Sequence, residues 1–221
     1  MKTINWDKIF TALEKWRRDI NADEPSVSAV AENYRREPWA VLASTIISLR
    51  TKDEVTIAAS RRLLEKARTP ALLGAMKETA IEKLIYPAGF YRNKAVSLKK
   101  IAKILIEQYD GNVPSSMEEL LSLPGVGRKT ANLVLNEAFD IDAICVDIHV
   151  HRISNRCGWL CSKTPEETEM ILREILPRKH WKRINYLLVL YGQKLCRPVS
   201  PFCSNCVICK YCSRNGVTKF R

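Results

Sequence analysis

Apolar residues recur at helical spacing along almost the whole chain. Stretches such as WDKIFTALEKWRRDI (residues 6–20), DEVTIAASRRLLEKA (53–67) and WKRINYLLVLYGQKL (181–195) place apolar side chains three and four positions apart, as one face of a helix requires. The period-two alternation of a half-buried strand is nearly absent. Breakers such as DGNVPSS from Asp110 and LPGVG from Leu123 separate the helical stretches. The pattern predicts an all-α protein of about ten helices.

Two helix starts can be recognised from their capping residues. SSMEE places a serine three residues before a glutamate, and TPEE places Thr164 at the cap, Pro165 at the first helical position and Glu167 at the third. From Arg197 onward the chain is a cysteine-rich loop that cannot bury a core of its own.

The charge balance points to a polyanionic partner. The chain has 221 residues, a net charge of +12 and a pI of about 9.4, which favours nucleic acid, although a solvated basic surface has the same composition. The N-terminus MKTINWDKIF has no apolar targeting segment, and the apolar runs are too short to cross a bilayer. We therefore expect an intracellular protein, cytoplasmic or nucleoid-associated, that is neither secreted nor membrane-bound.

The stretch LPGVGRKTAN combines a tight turn with a cationic helix start. Gly125 and Gly127 allow a sharp turn that exposes main-chain N–H groups, and the dipole of the following helix makes the place suitable for a phosphate. A nucleotide P-loop is rejected because its glycine spacing and preceding strand are missing. A helix–turn–helix corner with incidental basic residues remains the alternative.

Lys129 lies in the first turn of that helix, where the dipole disfavours a cation. The dipole and the neighbouring Arg128 both disfavour the ammonium form. A neutral amine is the nucleophile that attacks a sugar C1′ or forms a Schiff base. The position that costs helix stability therefore favours nucleophilic catalysis.

Asp147 follows the apolar run in AICVDIHVHR and precedes another helix. It is placed to cap that helix, and a capping carboxylate is also held rigidly enough to stabilise an oxocarbenium-like sugar and to help deprotonate the lysine. His149 is interpreted as a polar packing residue or a phosphate contact.

LPGVGRKTAN followed by VDIHVHR, together with RTKDEVT and LIYPAGFYRNKA, resembles the endonuclease III family of the helix-hairpin-helix Gly/Pro-Asp DNA glycosylases, from about Trp39 to Cys212. The resemblance implies a base excision repair enzyme that removes oxidised pyrimidines and cleaves the strand by β-elimination. It implies that Lys129 is the Schiff-base nucleophile and Asp147 the partner aspartate. Relatives that only excise the base carry another residue in place of the lysine.

The resemblance also implies a grip on double-stranded DNA that contains damaged bases or abasic sites. Side chains from two loops fill the gap left by the flipped nucleotide, and they map to Arg50 and Phe90. Arg50 departs from the glutamine usual in the family, and its bidentate donors would favour guanine as the opposite base. A phosphate contact is the alternative role of Arg50. The expected DNA contacts are Arg50, Phe90, Gly125, Gly127, Arg128, Thr130, His149 and Arg152.

Five of the eight cysteines fall between Cys196 and Cys212, which indicates metal ligation rather than a disulfide framework. Spacing leaves two ligand sets open: four cysteines from Cys203 to Cys212 with two residues between neighbours, or a set that includes Cys196 and omits Cys209. Zinc is the second choice of metal, because zinc ribbons use two C-x2-C pairs of cysteines held well apart in sequence and this compact cluster lacks that gap. The resemblance implies a [4Fe–4S] cluster held by Cys196, Cys203, Cys206 and Cys212.

The resemblance further implies two helical subdomains in a monomer. One spans residues 31–141 and carries the helix-hairpin-helix; the other combines residues 1–30 with 142–221 and ends in the cluster loop. The family layout places the DNA cleft between them, with Lys129 and Asp147 on facing walls. Two alternatives stay open: a uracil- or mismatch-directed glycosylase acting opposite guanine, and a non-catalytic iron–sulfur DNA-binding protein.

Overall fold

The computed structural model describes residues 4–20 and 24–221. Residues 1–3 of the N-terminal stretch MKTINWDKIF lie outside the described residues, and so do residues 21–23 of the predicted segment 1–30. Within the described residues no helix has the length and apolarity needed to span a membrane. Regular structure there consists of three short 3-10 turns and twelve α-helices: α1 (Trp6–Asp19), α2 (Ser26–Asn33), α3 (Pro38–Ser48), α4 (Asp53–Lys66), α5 (Pro70–Ala75), α6 (Glu78–Ile85), α7 (Tyr91–Gln108), α8 (Met117–Ser122), α9 (Arg128–Phe139), α10 (Ile148–Cys157), α11 (Pro165–Ile175) and α12 (Trp181–Lys194).

The all-α class is confirmed, and the structure adds helices that the apolar pattern did not resolve. α2, α5 and α6 have only six to eight residues, too few turns for a periodicity to show. α7 begins at Tyr91, so that YRNK, near the end of the stretch LIYPAGFYRNKA, forms its first turn. The break lies one residue earlier, at Phe90, whose φ of 56° is left-handed.

The chain divides into two compact units. One is Pro25–Ile141, and the other combines the N-terminal residues up to Glu24 with Asp142–Arg221. The predicted subdomain began at residue 31, whereas α2 belongs entirely to the first of these units because it packs against α3 and α4.

The unit Pro25–Ile141 is built around α3. This helix is buried on all sides from Trp39 to Ile47 and is surrounded by α2, α4, α7 and α9. Its start is fixed by Glu37, whose carboxylate accepts the main-chain N–H groups of Trp39 and Ala40 at 3.1 and 2.6 Å. The indole of Trp39 is buried and donates to Ala67 O at 3.0 Å. The same core supports α9, the helix that carries Lys129.

The second unit packs α1, α10 and α12 around a separate aromatic core. The ring centroids of Trp6 and Trp159 lie 5.1 Å apart, and those of Trp16 and Tyr191 lie 4.8 Å apart. Ile208, from the cysteine-rich loop, is 1 % exposed and belongs to this core. The loop therefore rests on the helices of its own unit.

Candidate functional site

The glycine turn joins α8 to α9 as the sequence predicted. Ser116 caps α8, since its Oγ accepts the N–H of Glu119 at 3.2 Å. Gly125 has a φ of +80°, a conformation that favours glycine. Gly127 has a φ of −99°, which any residue adopts, so only Gly125 is required by the shape of the turn.

Gly127 precedes the first residue of α9, and Lys129 is the second residue of that helix. A Cβ built on Gly127 would meet nothing within 4 Å, so space is open beside the start of α9. No acidic residue lies in the first turn. Thr130 is 2 % exposed, and its side chain is turned into the core. Main-chain N–H groups, the helix dipole and two cationic side chains therefore meet at one end of α9, as an anion site requires.

Asp147 caps α10, the first helix after the apolar run Ala143–Val146. Its Oδ1 accepts the N–H groups of His149 and Val150, both at 2.9 Å. Both bonds use the same oxygen, so Oδ2 takes no part in the cap. The carboxylate is held in one orientation by the helix it starts. Asp147 and Lys129 belong to different units of the chain.

Arg152 and His149 point into their own unit. Nη2 of Arg152 donates to Cys196 O at 2.9 Å and to Gly192 O at 3.3 Å, and it lies 3.0 Å from His149 Nδ1. A Cβ on Gly192 would collide with the His149 ring, so α12 needs a glycine there. Burial lowers the pKa of Arg152. These contacts favour the interpretation of His149 as a polar packing residue. They also occupy the guanidinium of Arg152, which the sequence predicted to contact DNA.

The structure brings Arg50 and Phe90 together. Both have left-handed backbones, with φ of 52° and 56°, and the Arg50 guanidinium lies 5.6 Å from the centroid of the Phe90 ring. Phe90 is 61 % exposed, and Arg50 is exposed as well. Gly89 allows the close approach, because a Cβ on it would collide with Arg50 O. Two loops that are 40 residues apart in sequence thus present one cationic and one aromatic side chain side by side.

Lys94 lies beneath this pair and was not singled out by the sequence. It is 6 % exposed, and its Nζ donates to Ile47 O at 2.7 Å, to Leu49 O at 2.6 Å and to Thr51 Oγ1 at 2.8 Å. Burial lowers the pKa of Lys94 to about 8. The sequence did contain a sign of this burial, because Lys94 shares its helix face with the buried leucines and isoleucine of α7: Leu98, Ile101 and Leu105.

The four predicted thiol ligands line one cavity that is partly open to solvent. A fifth thiol, Cys157 at the end of α10, also lines it, and Cys209 does not. In the part of the chain that the structure describes, no three His, Cys, Asp or Glu side chains converge as ligands of a single metal ion. The cavity is lined by four predicted ligands: Cys196, Cys203, Cys206 and Cys212.

Neighbouring donors reach the sulfur atoms. Tyr191 OH donates to Cys206 Sγ at 3.1 Å, and Arg156 Nη1 donates to Cys196 Sγ at 3.3 Å. Arg214 N donates to Cys212 Sγ at 3.3 Å, while its Nη2 donates to the fifth cysteine of the loop, Cys209, at 2.7 Å. Cys209 therefore has a structural contact of its own outside the cavity.

Burial raises the pKa of Cys203 and of Cys206. A hydrogen bond from the Cys157 thiol is the main cause that lowers the pKa of Cys212, to about 6. Thiols that burial keeps neutral become thiolates when a cation coordinates them, so this cavity suits a metal group.

The Gly-turn hairpin, with its lysine at the start of α9, defines a helix-hairpin-helix protein of DNA repair. The HhH-GPD superfamily model matches residues 43–178, and the chain belongs to this superfamily of base excision DNA repair proteins. Endonuclease III of Thermotoga maritima is 49 % identical over 213 residues, which are 95 % of this chain and 97 % of that protein.

Solved structures agree with this family. A trapped covalent intermediate of endonuclease III with DNA, an estranged-adenine complex, matches with a TM-score of 0.81 and 33 % identity over 96 % of this chain and 97 % of that one. A thermostable thymine-DNA glycosylase has the same TM-score of 0.81 at 24 % identity, over 94 % and 95 % of the two chains, and shows the fold alone. These findings confirm the family resemblance and the enzyme class, a base excision repair DNA glycosylase and lyase.

Proposed function

We propose that Lys129 is the nucleophile with which this chain removes oxidised pyrimidines from DNA and then cleaves the strand. The observation that carries the proposal is the place of Lys129, in the first turn of α9 directly after the Gly125 turn. The positive end of a helix is an unfavourable place for a structural cation, whereas it places an amine beside the main-chain N–H groups that bind a DNA phosphate.

The chemistry follows from an amine at that position. Neutral Nζ attacks C1′ of the damaged nucleotide as the bond from C1′ to the base nitrogen breaks, and the base leaves with the bonding electrons and takes up a proton. The nitrogen lone pair then opens the sugar ring: the C1′–O4′ bond breaks, O4′ takes up a proton, and C1′ and Nζ form a protonated Schiff base. Loss of a C2′ proton breaks the C3′–O bond and releases the 3′-side phosphate, and hydrolysis returns the lysine.

Asp147 stabilises the positive charge that develops on the sugar as the base leaves. The cap bonds to Oδ1 hold its carboxylate in place before substrate arrives, so no reorganisation is needed during the reaction. Its negative charge acts on the transition state more than on the bound substrate, so it should affect the rate of excision more than binding.

The turn and the start of α9 grip a duplex that contains a damaged base or an abasic site. The open space at Gly127 admits a phosphate to the main-chain N–H groups, and Arg128 adds charge. Thr130 contributes through its main chain, since its side chain is buried. Arg152 and His149 both contact α12 at Gly192.

A [4Fe–4S] cluster is the group that fits the thiol-lined cavity. The four predicted ligands surround a space that Cys157 also lines, instead of converging on a point, as four thiolates that each bind a different iron would do. Cys209 lies outside the cavity lining, which supports the ligand set that omits it. When bound, the cluster would supply cross-links within the loop and to Cys196, which lies two residues after the end of α12.

Iron content tests this ligand set. Cys206→Ser should lose most of the bound iron and the visible absorbance of the purified protein, because a ligand is removed. Cys209→Ser is the matched control, with the same change three residues away, and should keep both. Equal loss of iron in the two variants would contradict the assignment.

A second candidate function, a preference for lesions or mismatches opposite guanine, is favoured by Arg50. Its exposed guanidinium carries the two donors that guanine O6 and N7 accept, and it lies beside Phe90 at the tip of the loops. Uracil or thymine opposite guanine would then be processed as well as an oxidised pyrimidine.

Borohydride trapping tests the main proposal. The purified protein is mixed with a duplex that carries one thymine glycol, and the same duplex with undamaged thymine serves as the control. We expect a covalent adduct that requires the lesion and is absent for Lys129→Ala. An adduct that persists in Lys129→Ala would contradict the nucleophile, and an adduct only with uracil or thymine opposite guanine would favour the second candidate.

A further inference from the structure

We infer that Lys94 is a positioning residue that holds Arg50 and Phe90 together as a single probe of the DNA duplex. The inference deepens the proposed function and rests on it. Arg50 and Phe90 come from two different loops, and Lys94 is bonded to the main chain beside both of them.

The side chain of Lys94 organises the loop that carries Arg50. Its Nζ bonds to the carbonyls of Ile47 and Leu49, at the C-terminal end of α3, where a helix leaves its last carbonyls without helical partners. Leu49 immediately precedes Arg50, so the bond to Leu49 O fixes the peptide plane from which Arg50 emerges.

The main chain of Lys94 organises the other loop. Its N–H donates to Phe90 O at 3.1 Å within the first turn of α7. Thr51 completes the connection, since its Oγ1 accepts both from Lys94 Nζ at 2.8 Å and from the N–H of Gly89 at 3.0 Å. One lysine and one threonine thus bond to the residues directly before Arg50 and Phe90.

The number of hydrogen atoms matches the number of acceptors. An ammonium group has three N–H donors and no acceptor, and Nζ of Lys94 meets three oxygen atoms at 2.6–2.8 Å. Such a group cannot be replaced by an apolar side chain of equal length without leaving buried carbonyls unsatisfied.

The backbone of the pair explains why a clamp is needed. Arg50 and Phe90 both have left-handed φ values, a conformation that non-glycine residues keep only where the surroundings over-determine it. Released from Lys94, both residues would relax toward ordinary backbone conformations and their side chains would separate. Phe90 and Arg50 would then enter a duplex independently or not at all.

Lys99 provides a matched control in the same helix. Its Nζ also donates to a main-chain carbonyl, that of Met76 at 2.7 Å, but it makes no contact with the two loops. A purely structural role would make Lys94→Met and Lys99→Met alike in everything except thermal stability.

The test compares single-turnover base excision in Lys94→Met, Lys99→Met and Thr51→Val. Misplacing the probe should lower the rate of base excision in Lys94→Met by about 100-fold. The rate of cleavage at a ready-made abasic site should fall less, because no stacked base has to be displaced there. Lys99→Met should stay close to the parent protein. Thr51→Val removes the oxygen atom that accepts from both Lys94 Nζ and the N–H of Gly89, while keeping the charge and volume of the protein. Its excision rate tests the inference if Lys94→Met does not fold.

A double-mutant cycle separates positioning from mere support. Arg50→Ala should reduce excision in the parent protein and change it little in the Lys94→Met background, because the probe is already displaced. Additive losses, or equal losses in Lys94→Met and Lys99→Met, would overturn the inference.

Fluorescence of 2-aminopurine placed opposite the lesion, measured in the Lys129→Ala background, reports probe insertion without chemistry. If the fluorescence shows insertion but the parent protein forms no covalent adduct, the proposed function alone is refuted. If Lys94→Met leaves the insertion unchanged, the inference alone is refuted.

Discussion

Two lysines in first turns of helices show how burial decides what an amine does. Lys94, the fourth residue of α7, is 6 % exposed and donates to three oxygens. Lys129, the second residue of α9, is half-buried behind a glycine turn and beside Arg128. The first can act as an anchor only while it carries its proton. The second can act as a nucleophile only after it has lost it.

The largest effect is expected at the nucleophile. Lys129→Ala should reduce β-elimination at an abasic site by about 10⁴-fold or more, because no other step forms the Schiff base. DNA binding should survive, since the main-chain grip at the turn is unchanged. Product formation on a gel and binding by anisotropy check this. Retained strand cleavage would mean that the two lysines have been assigned the wrong roles.

The next effect tests the charge that works with Lys129. Asp147→Asn should slow base excision by about 100- to 1000-fold, since the developing charge on the sugar loses its counter-charge. An asparagine still accepts the cap bonds from His149 and Val150, so the melting temperature should change little. Single-turnover kinetics and affinity for the same duplex separate rate from binding. A loss confined to affinity would argue for a structural aspartate.

A smaller effect is expected at Arg50, the residue whose loop Lys94 holds. Arg50→Gln should lower the preference for a lesion opposite guanine over one opposite adenine by about tenfold, because a bidentate contact discriminates by about 1–3 kcal/mol. Arg61→Gln, an exposed arginine of α4, is the control and should leave the preference unchanged. Equal excision opposite both bases in the parent protein would dispose of guanine recognition by Arg50.

The last effect is on stability rather than on activity, and it is the pH dependence that comes from Lys94. Burial lowers its pKa from 10.5 to about 8, so between these pH values the unfolded chain binds a proton that the folded chain has released. The free energy of unfolding of the parent protein, relative to Lys94→Met, should therefore rise from pH 8 to pH 10.5. Parallel denaturation series of both proteins check it. A difference that stays constant or falls with pH would mean that Lys94 keeps its proton.

The sequence predicted those features whose causes are local. The glycine turn, the start of α9 at Arg128 and the cap at Asp147 depend on a few neighbouring residues, and the structure contains all three. The helical class also follows from a short-range period. The division of the cysteines needed the structure, because spacing alone allowed two ligand sets while the cavity lining omits Cys209.

Features that depend on distant contacts could not be predicted from the sequence. The function of Lys94 appears only when α3 and α7 lie side by side, and a lone lysine in a helix is normally a solvated residue. Arg152 is a second case: its charge predicts a DNA contact, and the structure adds two acceptors, Gly192 O and Cys196 O, that lie 40 and 44 residues away along the chain. Neither partner could be assigned from sequence spacing.

Helix α10 connects two parts of the protein that serve different purposes. Asp147 caps one end, and about 15 Å away the last turn supplies Arg156, which bonds to Cys196 Sγ and to the carbonyls of Arg197 and Pro198. The helix is thus supported at its far end by the loop that the iron would tie down. With the proposed cluster, iron supply in the cell would become a condition on repair capacity, because a chain made in iron starvation would keep the proposed active residues but lose the cluster that ties down the loop supporting α10.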